Sequence, residues 1–519
     1  MKNFKFTGLI FSLCLHFLSC QKLTFNNAGD SLSVAFLQTV LFRDLIRPAS
    51  VPVVPPVEVT PTETCDTSVK WSKTLGDATN SVYVTTILSV SVQDIIIAGS
   101  TRKNLGTGKK FNFSGTEGTT QNWFIAKLNG KDGSIVWVDY FGETMLSIAA
   151  NAEFPTLIRL GKFSNGEIGV FWEAKDAQSG ALQAKNLTYS FGAARYDLEG
   201  VRKWHTYLNL STNGGNRFSS AIDASDNIHF FVEVSAAGGL EGFPAPTNSV
   251  SGGQEILYGL ITGSGGLLSQ KYITSVLEDK IGDAVSFGTA IFLGGNAQDN
   301  LNGFTGHPAT GVGINKIFIA KLDSSQNISS VLYRGSASGS SNTELRKLTA
   351  DATDLYYVGN SNDSYGSPIS AYQASGKNFL YEKISSNLTP TWLTFLGATS
   401  FNVTDGLRTA LLAPVDGTSF YAHLLSGSNF ARFTGLGAAE SGDGSGFFQK
   451  TLVKVNKATG AYEKVVYSSN FASPKIASFT NTKEICSGKM IRMDMVVEDQ
   501  NNSDRIFSEL SVFPTSELP

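Results

Sequence analysis

From about Val69 to the C-terminus, apolar positions come in short alternating or continuous runs. Clusters of Gly, Asn, Asp and Ser bound them, the pattern of strands joined by turns. One run recurs along the chain. Trp71, Trp137, Trp204 and Trp392 each open a short strand that carries Thr74, Tyr140, Tyr207 and Phe395 three residues later, and Tyr272, Tyr333 and Tyr467 fill that same slot in three further copies. Successive slots lie between 61 and 72 residues apart. A second run precedes most of these: Phe124–Leu128 (FIAKL) returns as Phe318–Leu322, and more loosely as Leu380–Ile384 and Thr451–Val455. A third element is a hairpin about a polar turn, as in Ala221–Val234 and Leu348–Gly359.

Each repeat is therefore four strands, and a four-stranded antiparallel sheet repeated at fixed spacing predicts a β-propeller, because a lone blade cannot bury both faces. There are seven lysine-type strands and seven anchor strands, but they are offset. Val69–Leu75 has no partner before it and Arg505–Phe513 has none after it. Pairing the two across the termini predicts a seventh blade, closed by the N-terminal strand, with no open edge. The recurrence of the anchors Trp71, Trp137, Trp204, Tyr272, Tyr333, Trp392 and Tyr467 marks them as core spacers rather than a ligand pocket.

The first 64 residues follow another pattern. Lys2 and Lys5 precede an apolar stretch from Phe6 to Leu18, too short to span a bilayer, and Phe17-Leu18-Ser19-Cys20 closes it. This segment resembles a bacterial lipobox of the looser spirochaete type. The resemblance implies cleavage before Cys20 and acylation of that cysteine, although Phe17 and Leu18 depart from the usual Leu three places before it. Leu32 to Ile46 read as a short helix (about 31–46), and Pro48, Pro52, Pro55, Pro56 and Pro61 as an extended spacer. The domains expected are thus a signal peptide (1–20), a stalk (21–64) and a seven-bladed all-β propeller (65–519).

With its Phe-x-Ala-Lys-Leu strand and the Gly-x-x-x-Trp hairpins at Gly133–Trp137 and Gly200–Trp204, the chain resembles the bacterial β-propeller repeat lipoproteins with SBBP-type repeats, over about 450 residues. That resemblance implies a fold and an exported, outer-membrane compartment, and no particular activity.

Composition narrows the function. Charged residues are 16% of the chain and the net charge is −3, so there is no basic field for nucleic acid. A monomer is expected. Long Gly-, Ser- and Asn-rich connections at 101–121, 235–254, 297–315, 360–377 and 426–446 all fall at one end of the ring, opposite the stalk. Such loops are where binding usually resides, so the leading expectation is a lipid-anchored propeller that binds a protein or polysaccharide on its membrane-distal face. Two other classes are a periplasmic scaffold for outer-membrane protein assembly and a glycan-active enzyme using Glu241, Glu440 or Asp443.

Other chemistry is weak. His205, His229 and His423 sit within strands and His307 is isolated in a loop, so no metal site is expected. Asp299–Gly303 approaches a calcium loop but lacks its ligand spacing, and no cofactor is expected. Gly442–Gly446 is glycine-rich, without a phosphate-binding Lys-Ser/Thr. Cys65 and Cys486 both fall at the stalk-side end of the seventh blade. In an oxidising compartment a disulfide between them would close a loop of several hundred residues, worth on the order of 5 kcal/mol in the chain-entropy model.

Overall fold

The computed structural model describes residues 65–144, 158–396, 412–426, 449–468, 475–498 and 505–514, less 78–79, 189, 212–213, 236, 250–252, 340–341, 373–377, 415–417 and 487. The leader, Cys20 and the stalk helix lie outside them, as do 426–446 beyond Ser426, Glu440 and Asp443. No helix among the described residues is long and apolar enough to cross a membrane.

Seven four-stranded antiparallel sheets make the body. Blade 1 spans Val82–Glu143, blade 2 Ile158–Asn209, blade 3 Gly214–Ile273, blade 4 Asp279–Arg334, blade 5 Thr343–Leu396 and blade 6 Leu412–Ser468. Blade 7 takes three strands from Lys475–Pro514 and its fourth, Trp71–Leu75, from the other end of the chain. Trp71 pairs with Val512 and Leu75 with Ser508. The first strands of consecutive blades adjoin one another all the way round, blade 7 to blade 1 included, and so line a central channel. Strand directions alternate. Turns between first and second strands and between third and fourth strands therefore lie at one end, here the turn end, and the second-to-third connections lie at the other, the connection end.

The core lies between blades. One cluster joins Leu75, Met493 and Leu510 of blade 7 to Val84, Ile97 and Phe124 of blade 1, and another joins Ile125 and Phe141 of blade 1 to Trp172 and Tyr207 of blade 2. Each sheet thus buries both faces only because it has neighbours.

The repeated tryptophans have a definite task in this packing. Trp71, Trp137, Trp204 and Trp392 each donate the indole N–H to a carbonyl in the third-to-fourth turn of the next blade: Gly130 at 3.0 Å, Leu198 at 3.0 Å, Gly263 at 2.8 Å and Lys457 at 2.9 Å. A glycine at positive φ sits under each ring: Gly133, Gly200, Gly265 and Gly460. A Cβ on Gly200 would lie 2.7 Å from the Trp137 ring, and one on Gly460 2.6 Å from the Trp392 ring. Where the preceding blade has serine instead (Ser269, Ser330), the left-handed position is Gln326 or Leu388. Glycine is needed there for room as well as for φ, since other residues hold the same conformation once the indole is gone.

The lysine of the recurring strand works beside the tryptophan. Lys127 Nζ reaches Leu198 O at 3.2 Å and pairs with Asp94 at 2.6 Å. Arg195 takes its place in blade 2, donating to Gly263 O at 2.9 Å, and Lys321 donates to Ser386 O at 3.0 Å.

Candidate functional site

The connection end is built on the aromatic slot of the fourth strands. The hydroxyl of Tyr140 accepts the backbone N–H of Leu105 (2.8 Å), Tyr207 that of Gln178 (2.7 Å), Tyr272 that of Gly238 (2.8 Å) and Tyr333 that of Leu301 (2.6 Å). Each donating residue lies near the start of its blade's second-to-third connection. Phe395 has no hydroxyl, and Tyr365 and Tyr372 of its connection pack edge-on against its ring instead. These aromatics therefore hold loops as well as filling core.

From that hook the connections turn back along the outer, fourth strand of their own blade. Lys109 N–H bonds Val138 O, Leu182 N–H bonds His205 O, Tyr207 N–H bonds Gln183 O, and Thr247 N–H bonds Gln270 O. Ile369 N–H bonds Leu393 O, and Phe395 N–H bonds Ser370 O. The blade 4 connection differs: Asn302 exchanges bonds, through its backbone and its Oδ1, with Thr274, just past the fourth strand of blade 3. In blades 1, 2, 3 and 5 the residues that lengthen the repeat thus form a strap over an edge that would otherwise offer unpaired backbone to another chain. Blade 2 also has such a strap, at 174–189, which was not among the five expected.

The blade 1 strap has the deepest attachment. Asp139 Oδ1 accepts the N–H groups of Lys110 and Phe111 at 2.9 and 2.8 Å, while its Oδ2 takes Tyr196 Oη and Arg202 Nη2, each at 2.7 Å. Both ionic side chains are fully buried. Removing one partner from such a pair costs about 3–5 kcal/mol, since the other charge is left without a counter-charge. Phe111 lies over the Arg202 guanidinium and edge-on to His205. Burial, then the positive Arg202, push the His205 imidazole down to about 4.

The remaining sequence candidates are dispersed. His229 bonds Asp223 (3.1 Å) and the Tyr258 hydroxyl (3.0 Å) beside a small cleft between blades 3 and 4, where Asp323 and Gln326 also line the wall. His307 packs on Tyr333. In the Asp299–Gly303 segment, Asn300 Oδ1 accepts from His307 N–H and Asn302 Oδ1 from Thr274 N–H, so those oxygens are engaged in shaping the loop. Glu241 accepts from Asn186 at 2.6 Å. Among the described residues no group of three or more His, Cys, Asp or Glu side chains is placed to hold a metal ion. Cys65 and Cys486 are disulfide-bonded at the turn end of blade 7, with Cα atoms 5.9 Å apart.

The channel holds a cluster that sequence reasoning missed. Arg159, Ser219, Asp283 and Lys347 occupy one register position on the first strands of blades 2, 3, 4 and 5, where the strand-by-strand pairing leads outward to Thr206, Lys271, Leu332 and Thr394, each the residue before the aromatic slot. Asp283 Oδ1 meets Arg159 Nη1 at 2.6 Å and Ser219 Oγ at 3.2 Å. Its Oδ2 meets Lys347 Nζ at 2.7 Å and Leu348 N–H at 3.3 Å. Burial opposes its charge, but Lys347 and Arg159 outweigh burial and hold the Asp283 carboxyl below the usual range. Bulges between Ile281 and Asp283 and between Leu345 and Lys347 immediately precede two of these residues. The signal available in the sequence is a second-strand glycine opposite each bulge: a Cβ on Gly295 or Gly359 would meet Lys280 O or Glu344 O.

No family model matches the chain, and no curated protein matches it. Solved structures similar to it include the β-propeller domain of the Trilobed protease from Pyrococcus furiosus, described as having an open velcro topology (6% identity, covering 82% of this chain and 97% of that one, TM-score 0.38). Others are a protein of unknown function from Dyadobacter fermentans (8% identity, 69% and 94% covered, TM-score 0.38) and hydrazine synthase from Kuenenia stuttgartiensis (10% identity, 68% and 80% covered, TM-score 0.37). These likenesses identify no family and transfer no activity to this chain.

Proposed function

We propose that the chain is an exported binding propeller, tethered to the outer membrane through Cys20, that holds a protein or polysaccharide partner against the straps and rim of its connection end. The observation that supports this most is the pinning of the connections. Tyrosine hydroxyls and outer-strand hydrogen bonds fix them before any partner arrives, and a preformed surface spares the ordering cost of binding. The chain enters the ring at Cys65, at the turn end, so a tether there would keep that end nearest the lipid and leave the connection end outward. The connections offer apolar contacts as well: Leu182 is 60% exposed, Val312 86% and Ile369 55%.

Because the straps also cover strand edges, shortening them would confuse loss of binding with aggregation, and point substitutions are the cleaner test. Immobilised full-length protein is expected to retain a protein or polysaccharide from envelope material. The variant carrying Leu182→Asp, Val312→Asp and Ile369→Asp is expected to keep its circular dichroism spectrum and lose that partner. Equal capture by the two proteins refutes the reading.

A further inference from the structure

We propose that the ring of Arg159, Asp283 and Lys347, together with Lys483, is a binding site inside the channel for an oxyanion: a carboxylate or phosphate group carried by a small ligand. This site is separate from the straps and does not rest on the reading above. The first argument is charge balance. Two cations, Arg159 and Lys347, converge on a single carboxylate, and Asp283 is saturated, with four donors on its two oxygens. Lys483, on the first strand of blade 7, has no hydrogen-bond or ion-pair partner among the described residues. It nonetheless stands near enough to Lys347 that, after burial, the Lys347 ammonium is the next largest cause lowering its pKa, and the neighbouring Glu484 offsets this only in part. Like charges held together in a confined space are relieved by an anion placed between them.

The second argument is access and aim. Lys483 is exposed on the first strand of blade 7, one of the strands that line the channel. The Lys347 side chain keeps 30% of its surface open and Arg159 keeps 14%, whereas the Asp283 side chain keeps 2%. The carboxylate is therefore the buried floor that orients the two cations, and the cationic heads are what a ligand entering the channel meets. A guanidinium fork and mobile ammonium groups suit the several acceptor oxygens of a phosphate or carboxylate. A purely structural ion-pair network around Asp283 would not need a further lysine, Lys483, that has no hydrogen-bond or ion-pair partner among the described residues.

Titration of the full-length protein with inorganic phosphate, at constant ionic strength held with chloride, tests this. Phosphate is expected to raise the melting temperature above that in chloride alone. Lys483→Gln is expected to weaken the phosphate effect about tenfold, the value of one charge-assisted hydrogen bond, and Lys483→Arg to restore it. Phosphate is also expected to protect Lys483 of the wild-type protein from an amine-labelling reagent, read by peptide mass spectrometry; this measurement does not depend on a variant folding. An equal melting shift in wild-type and Lys483→Gln protein, or labelling of Lys483 unchanged by phosphate, overturns the site.

Discussion

At the scale of single residues, the clearest finding is that tryptophan and glycine are chosen together across a blade boundary. Gly200→Ala forces a Cβ into the Trp137 ring at positive φ, and is expected to cost about 1–3 kcal/mol in denaturant unfolding. Trp204→Ser with Gly265→Gln imitates the natural Ser269–Gln326 pair, in which Ser269 Oγ bonds Gln326 at 2.9 Å. That double variant should lose less stability than its two single variants summed; strict additivity would show that the pairing is incidental. Glu173 gives a second test. Burial alone raises its carboxyl to about 7, and its Oε2 has no hydrogen-bond partner among the described residues. Its folded pKa lies above the unfolded value, so the native state binds the extra proton between about pH 4.5 and 7, and stability falls as pH rises through that window. Glu173→Gln should therefore gain up to a few kcal/mol at pH 8 and almost nothing at pH 4. A gain independent of pH would assign the effect to packing.

At the scale of elements, the strands and their offset were legible because period-two burial and the Phe-x-Ala-Lys-Leu run repeat at nearly constant spacing. The closing strand was expected at Val69–Leu75 and occupies Trp71–Leu75. The straps were not legible. Each bonds the carbonyl two residues before the aromatic slot (Val138, His205, Gln270, Leu393), but through the backbone N–H of unlike residues (Lys109, Leu182, Thr247, Ile369), so no side-chain pattern marks them. The channel ring was hidden for the opposite reason: its position recurs, but the residues there are Arg159, Ser219, Asp283 and Lys347, and comparing repeats by likeness passes over a site made of differences. A hook can be tested on its own. Tyr272→Phe leaves the Gly238 N–H without its acceptor, and hydrogen exchange in 237–249 should quicken by about tenfold while the ring's global unfolding midpoint moves little. Unchanged exchange would mean that the strap is held by its outer-strand bonds alone.

At the scale of the whole molecule, closure is what makes the parts one body. The first strands adjoin around the channel, the cores lie between blades, and the N-terminal strand ends the series by pairing with the C-terminal one. The same blade carries the Cys65–Cys486 bond, at the end where the chain enters. A covalent tie at that point holds together two chain ends that a fluctuation would otherwise separate first, opening blade 7 and exposing the faces of blades 6 and 1. It also connects the fold to the compartment, since such a bond persists where thiols are not kept reduced. Peptide mapping of the full-length protein isolated from its host cells, alkylated before digestion and analysed without reduction, tests the closed ring and its proposed export most directly. The predicted result is a single cross-linked peptide pair containing Cys65 and Cys486, with neither cysteine alkylated. Recovery of both as alkylated free thiols would contradict it.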